Sequence, residues 1–334
     1  MEYSIKPKRL GERGIIHYPQ KRIIGLYEKE MNLNTIGEIL RFYREKYNFK
    51  QSDVCNGICS ISTLSRIENG NKAADSLILE CLLGRIGKEV LQFEMILNDY
   101  DYSLWMLRKQ IEREFVRNDK RLTEKILNIY QEQMPQNENV HKQFYMYYKL
   151  QILENISMEE KCKMGIEALE YTNSINNHMY IYNVIEIKLI LFLIHSKYEA
   201  WKDIDIKKTL LRILQFVQKV YTGRQKEQIS IKILMEIIQQ EQMKKRFSYV
   251  INYVDKAIEF ISQSRTMENV AELHFIKAKA IEKAYHECDW ENEEENCKRE
   301  CMMSYYTFDI MENEQKKQEV QKFCEEQLGW RITK

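Results

Sequence analysis

The stretch FKQSDVCNGICSISTLSRIENGNK, residues 49–72, decides the fold of the N-terminal part of this 334-residue chain. It reads as two short helices around a tight turn, preceded by a longer one. Upstream, Ile36, Ile39, Leu40, Tyr43 and Tyr47 recur at the i, i+3, i+4, i+7 and i+11 spacing that places them on one helical face. Asn48 breaks that helix and Phe49 points inward. Gln51 then opens a second helix burying Val54 and Cys55, and Asn56 with Gly57 makes the turn. Ser60 or Ser62 caps the third helix, where Leu64 and Ile67 face the core while Ser62, Thr63, Ser65, Arg66 and Asn69 face outward. Gly70 supplies the left-handed residue that ends it, and Leu77, Leu79, Leu82, Leu83 and Ile86 continue as apolar helix.

This register resembles the Xre/Cro class of helix-turn-helix DNA-binding domains. VCNGICSISTLSRIENG, residues 54–70, is especially similar to the form carried by the peptide-responsive regulators of the PlcR, NprR and Rgg group. The resemblance implies a five-helix, lambda-repressor-like domain over residues 34–98. It also implies roles for named positions. Gln51 matches a residue that clamps a phosphate from the start of the second helix; Ser62, Thr63, Ser65 and Arg66 stand on the face that enters the major groove, where Ser62, Ser65 and Arg66 match readers of base edges. Asn69 and Lys72 match backbone-positioning contacts, and Arg44 with Glu68 matches a structural ion pair between the first and third helices. Ile61 departs from the pattern, since a polar base reader is common there. Its side chain either meets a thymine methyl or packs.

Charge follows the motif. Residues 1–90 carry 15 Lys and Arg against 11 Asp and Glu, net +4, whereas residues 91–334 carry 36 against 39, net −3. An excess that small holds duplex weakly from one copy, so a homodimer reading a palindromic operator, with half-sites about one helical turn apart, is expected.

The rest of the chain reads as helices joined by short loops. After Lys88 the helix breakers are only Pro135, Gly165, Gly223 and Gly329, while Leu, Ile, Lys, Glu and Gln dominate. A parallel sheet needs far more turn glycines. No uncharged apolar run long enough to span a membrane is present, and the N-terminus lacks the apolar region of a signal peptide, which points to the cytoplasm. The eight cysteines fit a reducing compartment. His286, Cys288, Cys297 and Cys301 invite a zinc reading, but neither pair has a C-x-x-C knuckle, so free thiols are expected with no metal and no cofactor. No nucleophile motif, phosphate-cradling glycine loop or paired catalytic carboxylates mark an enzyme.

Four antiparallel helix pairs are predicted in residues 135–330: roughly 138–154 with 158–173, 177–195 with 205–221, 225–243 with 246–263, and 266–285 with 293–311. Ala168, Val220 and Ala257 stand where tetratricopeptide repeats place the small residue that lets helices approach. The last two lie 37 residues apart, near one repeat length, and the first two 52, which calls for a longer loop around Tyr198 to Asp205. Such an array curls, and the first helix of each pair lines its concave side. Tyr148, Gln151, Asn183, Glu186, Lys232, Gln239 and Lys277 are polar or aromatic residues in apolar surroundings on those helices, and so candidates to hold an extended peptide. Asn183, inside YIYNVIEIKLILFLI, either bonds a peptide backbone or a neighbouring helix.

Residues 99–134 are expected to form linker helices, with Leu104, Leu107, Ile111 and Phe115 on one stripe. In the resembled family such a helix transmits strain between the two halves. Residues 1–33 are an extension, either a basic minor-groove arm or sequence upstream of a start at Met31. The expected protein is a homodimeric, all-α transcription regulator controlled by a short signalling peptide, of quorum-sensing type. Two other readings are a regulator whose repeats hold a protein partner or a phage-type intracellular control peptide, and a helical scaffold that never touches DNA.

Overall fold

The computed structural model describes residues 36–89, 99–173, 181–196, 205–264, 269–285 and 290–332. Among the described residues there are fifteen helices and no strand. The extension with Met31, the segment 90–98, the greater part of the loop around Tyr198, and the pair His286 and Cys288 lie outside them.

The first four helices are α1 (Ile36–Lys46), α2 (Gln51–Cys55), α3 (Ile61–Glu68) and α4 (Ser76–Arg85). Their ends follow from local chemistry. Asn48 takes a φ of 58° after α1, a conformation asparagine tolerates better than most residues. Of the two candidate caps for α3 it is Ser60, whose hydroxyl accepts from the Thr63 N–H, and Gly70 at φ 71° follows its end. Such a cap stabilises a helix by about 1 kcal/mol. Asp75 caps α4 by accepting from the N–H groups of Leu77 and Ile78.

Helix α5 (Asp99–Val116) is stapled to the start of α4 rather than hanging as a free connector. The Asp101 carboxylate accepts from the Ser76 backbone N–H and, at 2.6 Å, from its hydroxyl, while Arg108 donates to the same hydroxyl at 2.8 Å. Among the described residues four helices therefore precede residue 90, and the next one, which packs on α4, is the one the sequence assigns to the linker. Helix α6 (Lys120–Gln133) pairs with α5.

The predicted helix pairs correspond to α7 (Asn139–Ile152) with α8 (Met158–Glu170), α9 (Val184–His195) with α10 (Ile206–Val220), α11 (Gly223–Met243) with α12 (Phe247–Ser264), and α13 (Val270–Tyr285) with α14 (Trp290–Ile310); α15 (Glu314–Gln327) follows. The first helices α7, α9 and α11 also pack side by side, which builds the inner layer of a helical array. Ala168, Val220 and Ala257 are all fully buried, as their role at close helix crossings requires.

One apolar core runs from Leu40 in α1 to Ala280 in α13, so the N-terminal helices and the array share it. A second, smaller cluster joins α13, α14 and α15 around Phe275, Cys297, Cys301, Phe308 and Cys324. The cysteines here are buried free thiols; in the first cluster burial pushes the Cys59 thiol up to about 11, well out of the reactive range.

Candidate nucleic-acid interface and its joint to the helical array

Helix α3 presents the residues assigned to base reading. Ser62, Arg66, Asn69 and Lys72 are exposed, with Thr63 and Ser65 half-buried beside them. Thr63 is drawn into the cap, since the Ser60 hydroxyl also donates to its Oγ1 at 3.0 Å, and the Ser60 and Ser62 hydroxyls lie 2.9 Å apart. Ile61 is 52% exposed at the head of the helix. Of the two readings open for it, packing in the core is not the one observed.

Arg44 and Glu68 form the expected pair. Arg44 Nε donates to Glu68 Oε1 at 2.6 Å and Nη2 to Oε2 at 3.0 Å, while Nη1 reaches the Phe49 carbonyl. The bidentate geometry fixes α1 against α3. Gln51 begins α2 as expected, but its side-chain amide donates to Glu68 Oε2 at 2.8 Å. That bond turns the Gln51 side chain toward the ion pair, away from the phosphate-clamping role the resemblance implies for it.

Behind this surface lies a joint that the sequence did not disclose. Arg85, the last residue of α4, is 0% exposed. Its Nη1 donates to the carbonyls of Val54 and Asn56, at 3.0 and 2.6 Å, which are the end of α2 and the turn itself. Its Nη2 donates to the Thr172 carbonyl and, at 2.6 Å, to Glu186 Oε1, both in the array. One guanidinium thus ties the turn of the helix-turn-helix to the helical repeats. Glu186 is likewise 0% exposed and accepts a further bond from the Thr172 hydroxyl.

Two glycines bring the backbones together around that ion pair. A Cβ at Gly57 would lie 2.3 Å from the Thr172 carbonyl oxygen, and one at Gly87 2.1 Å from that of Val220; both residues also hold left-handed φ values near 70°. No other residue satisfies the space and the backbone conformation at once. Tyr47 adds a hydroxyl donation to the same Val220 carbonyl at 3.4 Å.

The predicted peptide-facing residues divide accordingly. Asn183 does not sit within a long apolar helix: it is the N-cap of α9, where its amide oxygen accepts from the Glu186 N–H and the Glu186 carboxylate accepts from the Asn183 N–H. This capping box aims Glu186 at Arg85, so both residues face the joint and are shut off from the concave surface. Tyr148 is buried in an aromatic cluster with Phe115, Phe144 and Tyr147. Lys277 is bonded to Asp255 at 2.7 Å and Glu300 at 2.9 Å, bridging α12 to α14. Lys232 is exposed, and Gln151 and Gln239 are half-buried.

Sequence reasoning passed over Lys188, which lies between Glu186 and the apolar end of α9. Burial holds its ammonium below the ordinary lysine range; Glu112 opposes that shift, and Lys232 and Lys109 reinforce it. Lys188 and Lys232, from α9 and α11, thus act on one another on the inner layer, whereas Lys109 of α5 is ion-paired with Glu112 at 3.0 Å. A groove of about 330 Å³ between α10 and α12, lined by Leu211, Leu214, Tyr253 and Phe260 among others, contains none of the predicted peptide-facing residues.

No family model and no curated protein matches this chain. Solved structures do. PlcR from Bacillus thuringiensis, in complex with the peptide PapR7 and DNA, superposes with a TM-score of 0.51 at 16% identity, over 86% of this chain and 98% of that one. The apo form of the same regulator gives 0.51 at 15% identity, over 85% and 97%. The apo form of the competence regulator ComR from Streptococcus vestibularis gives 0.48 at 15% identity, over 86% and 96%. At such identities the likeness to PlcR is one of fold, and it spans most of both chains.

Proposed function

We propose that this protein is a sequence-specific DNA-binding transcription regulator whose helical array takes a short signalling peptide. The observation that carries the reading is α3: a Ser60-capped helix with Ser62, Arg66, Asn69 and Lys72 exposed along it, locked behind by the Arg44–Glu68 pair. Ser62, Ser65 and Arg66 read base edges, and Asn69 and Lys72 fix the register on the phosphates. The shared fold with a regulator crystallised on DNA with its peptide supports the same division of labour here. Two copies act together in the cytoplasm on a palindromic site, because the modest charge excess of the N-terminal part needs a second set of contacts.

The peptide lies on the inner layer, against α7, α9 and α11. Gln151 and Gln239 supply donors and acceptors for its backbone, and Lys188 and Lys232 supply positive charge. That field favours a peptide with an acidic side chain or a free C-terminal carboxylate. Binding is communicated through α9, whose first turn carries Glu186 and therefore Arg85 and the turn between α2 and α3. A peptide shifts the placement of the DNA-binding helices only by its difference in affinity for the two placements, typically 1–3 kcal/mol.

Selection of bound duplexes from a random pool tests the DNA half: a palindrome of two half-sites about one turn apart is expected, and recovery of unenriched sequence contradicts it. Native mass spectrometry against extracts of spent medium tests the sensor half. A bound peptide of several residues, displaced when Lys188→Glu reverses the charge, is expected; repeated absence of any adduct contradicts peptide sensing.

A further inference from the structure

His141, near the start of α7, is a fully buried imidazole placed among carboxylates from three helices. Its Nε2 lies 3.0 Å from Asp75 Oδ1, at the N-cap of α4, and 3.5 Å from Glu138 Oε2, at the N-cap of α7. The Asp101 carboxylate, from α5, approaches the same helix start, where it accepts from the N–H and hydroxyl of Ser76, the residue after Asp75. Glu138 Oε2 is shut off from solvent, receives no hydrogen bond, and points at the imidazole. A secluded carboxylate oxygen beside two further carboxylates is costly unless a cation meets it.

The spacing suits a metal ion. Donors about 2.1 Å from an ion at tetrahedral or octahedral angles stand roughly 3.0–3.4 Å apart. One oxygen each of Asp75 and Glu138 and one nitrogen of His141 fall within 4.8 Å of one another. The other ring nitrogen, Nδ1, is held by the Tyr130 hydroxyl at 2.6 Å, the kind of outer contact that fixes the orientation of a ligating histidine. Asp75 is fixed too, because its Oδ1 also accepts from the N–H groups of Leu77 and Ile78.

We propose that Asp75, Glu138 and His141 form a binding site for a divalent first-row metal ion that pins α4 of the DNA-binding part to α7 of the array. One imidazole with carboxylate oxygens selects an ion of the Mn²⁺ to Zn²⁺ range over Mg²⁺, which prefers an all-oxygen, largely hydrated shell. The residues stand 63 and 66 positions apart from Asp75 in the chain (138 − 75 and 141 − 75), so no motif spacing announces them. The site stands on these side chains alone and does not depend on the reading of the inner layer as a peptide surface.

Mn²⁺ is the probe of choice, because the eight cysteines offer Zn²⁺ competing thiolates that Mn²⁺ disfavours. The full-length protein, stripped with chelator, is titrated with Mn²⁺ while the free ion is read by electron paramagnetic resonance. Saturable uptake of one ion per chain is expected, with a rise in Tm at saturation. Glu138→Gln keeps the shape of a side chain whose Oε2 accepts no hydrogen bond, and is expected to weaken uptake at least about tenfold while leaving the metal-free Tm nearly unchanged. His141→Asn removes the central donor, and circular dichroism reports whether that buried change is tolerated. No saturable uptake by the wild type up to about 1 mM Mn²⁺ overturns the proposal. So does uptake of equal affinity in Glu138→Gln.

Discussion

Two arginines in the N-terminal helices, nineteen residues apart (85 − 66), are placed in opposite ways. Arg66 stands exposed on α3, whereas Arg85 ends α4 with no exposure, four hydrogen bonds and a buried carboxylate partner. The first is positioned to act on something outside the molecule and contributes little to holding it together. The second does the reverse. A charge in water is stable without a partner, but a guanidinium inside the core persists only if a carboxylate and further acceptors meet it, as they meet Nη1 and Nη2 here while Nε has no acceptor, so its surroundings record its function in advance. The contrast makes stability and DNA affinity separable readouts, and substitutions on the two sides should move one without the other.

The largest effect is expected at Arg85→Ala. It strands the Glu186 carboxylate and frees the Val54, Asn56 and Thr172 carbonyls, so stability falls by about 3–5 kcal/mol in urea or thermal unfolding. Replacing the pair together, Arg85→Met with Glu186→Met, removes the stranded carboxylate but leaves the three carbonyls and the Asn183 N–H without partners, so only part of the loss returns, and a double variant no more stable than Arg85→Ala breaks the account of the joint. Next comes Gly87→Ala, where the new methyl meets the Val220 carbonyl and the backbone is left-handed; about 1–3 kcal/mol is expected from the same melts. Ser60→Ala removes the α3 cap for about 1 kcal/mol. Smallest in stability is Arg66→Ala, within about 0.5 kcal/mol of wild type.

The same contrast explains what was legible in the sequence. The α1–α4 register was readable because each part has its own local signal: Asn48 and Gly70 take left-handed φ, Ser60 caps, and Val54, Leu64 and Ile67 recur at helical spacing. The helix pairs of the array were readable for the same reason. The joint was not, because Arg85 and Glu186 are 101 positions apart and neither has its partner within its own helix. The signal was present in halves. Glu186 was marked as out of place in its apolar run, but without its partner it read as a ligand contact. Asn183 misled similarly, since an asparagine three residues ahead of a glutamate is also a capping box, and periodicity carried the helix through it. Lys188 was masked by its neighbours, and His141 by the distance to Asp75.

The central claim is that α3 is the surface that reads DNA, and Arg66 tests it most directly. Mobility shift at fixed salt compares wild type and Arg66→Ala on duplex from the gene's own neighbourhood, with thermal melts of both proteins alongside. The account predicts equal Tm and a loss of roughly 1–3 kcal/mol in affinity, about five- to 150-fold, with relaxed preference at one base position in each half-site. Unchanged affinity and unchanged sequence preference in a folded Arg66→Ala protein contradict it.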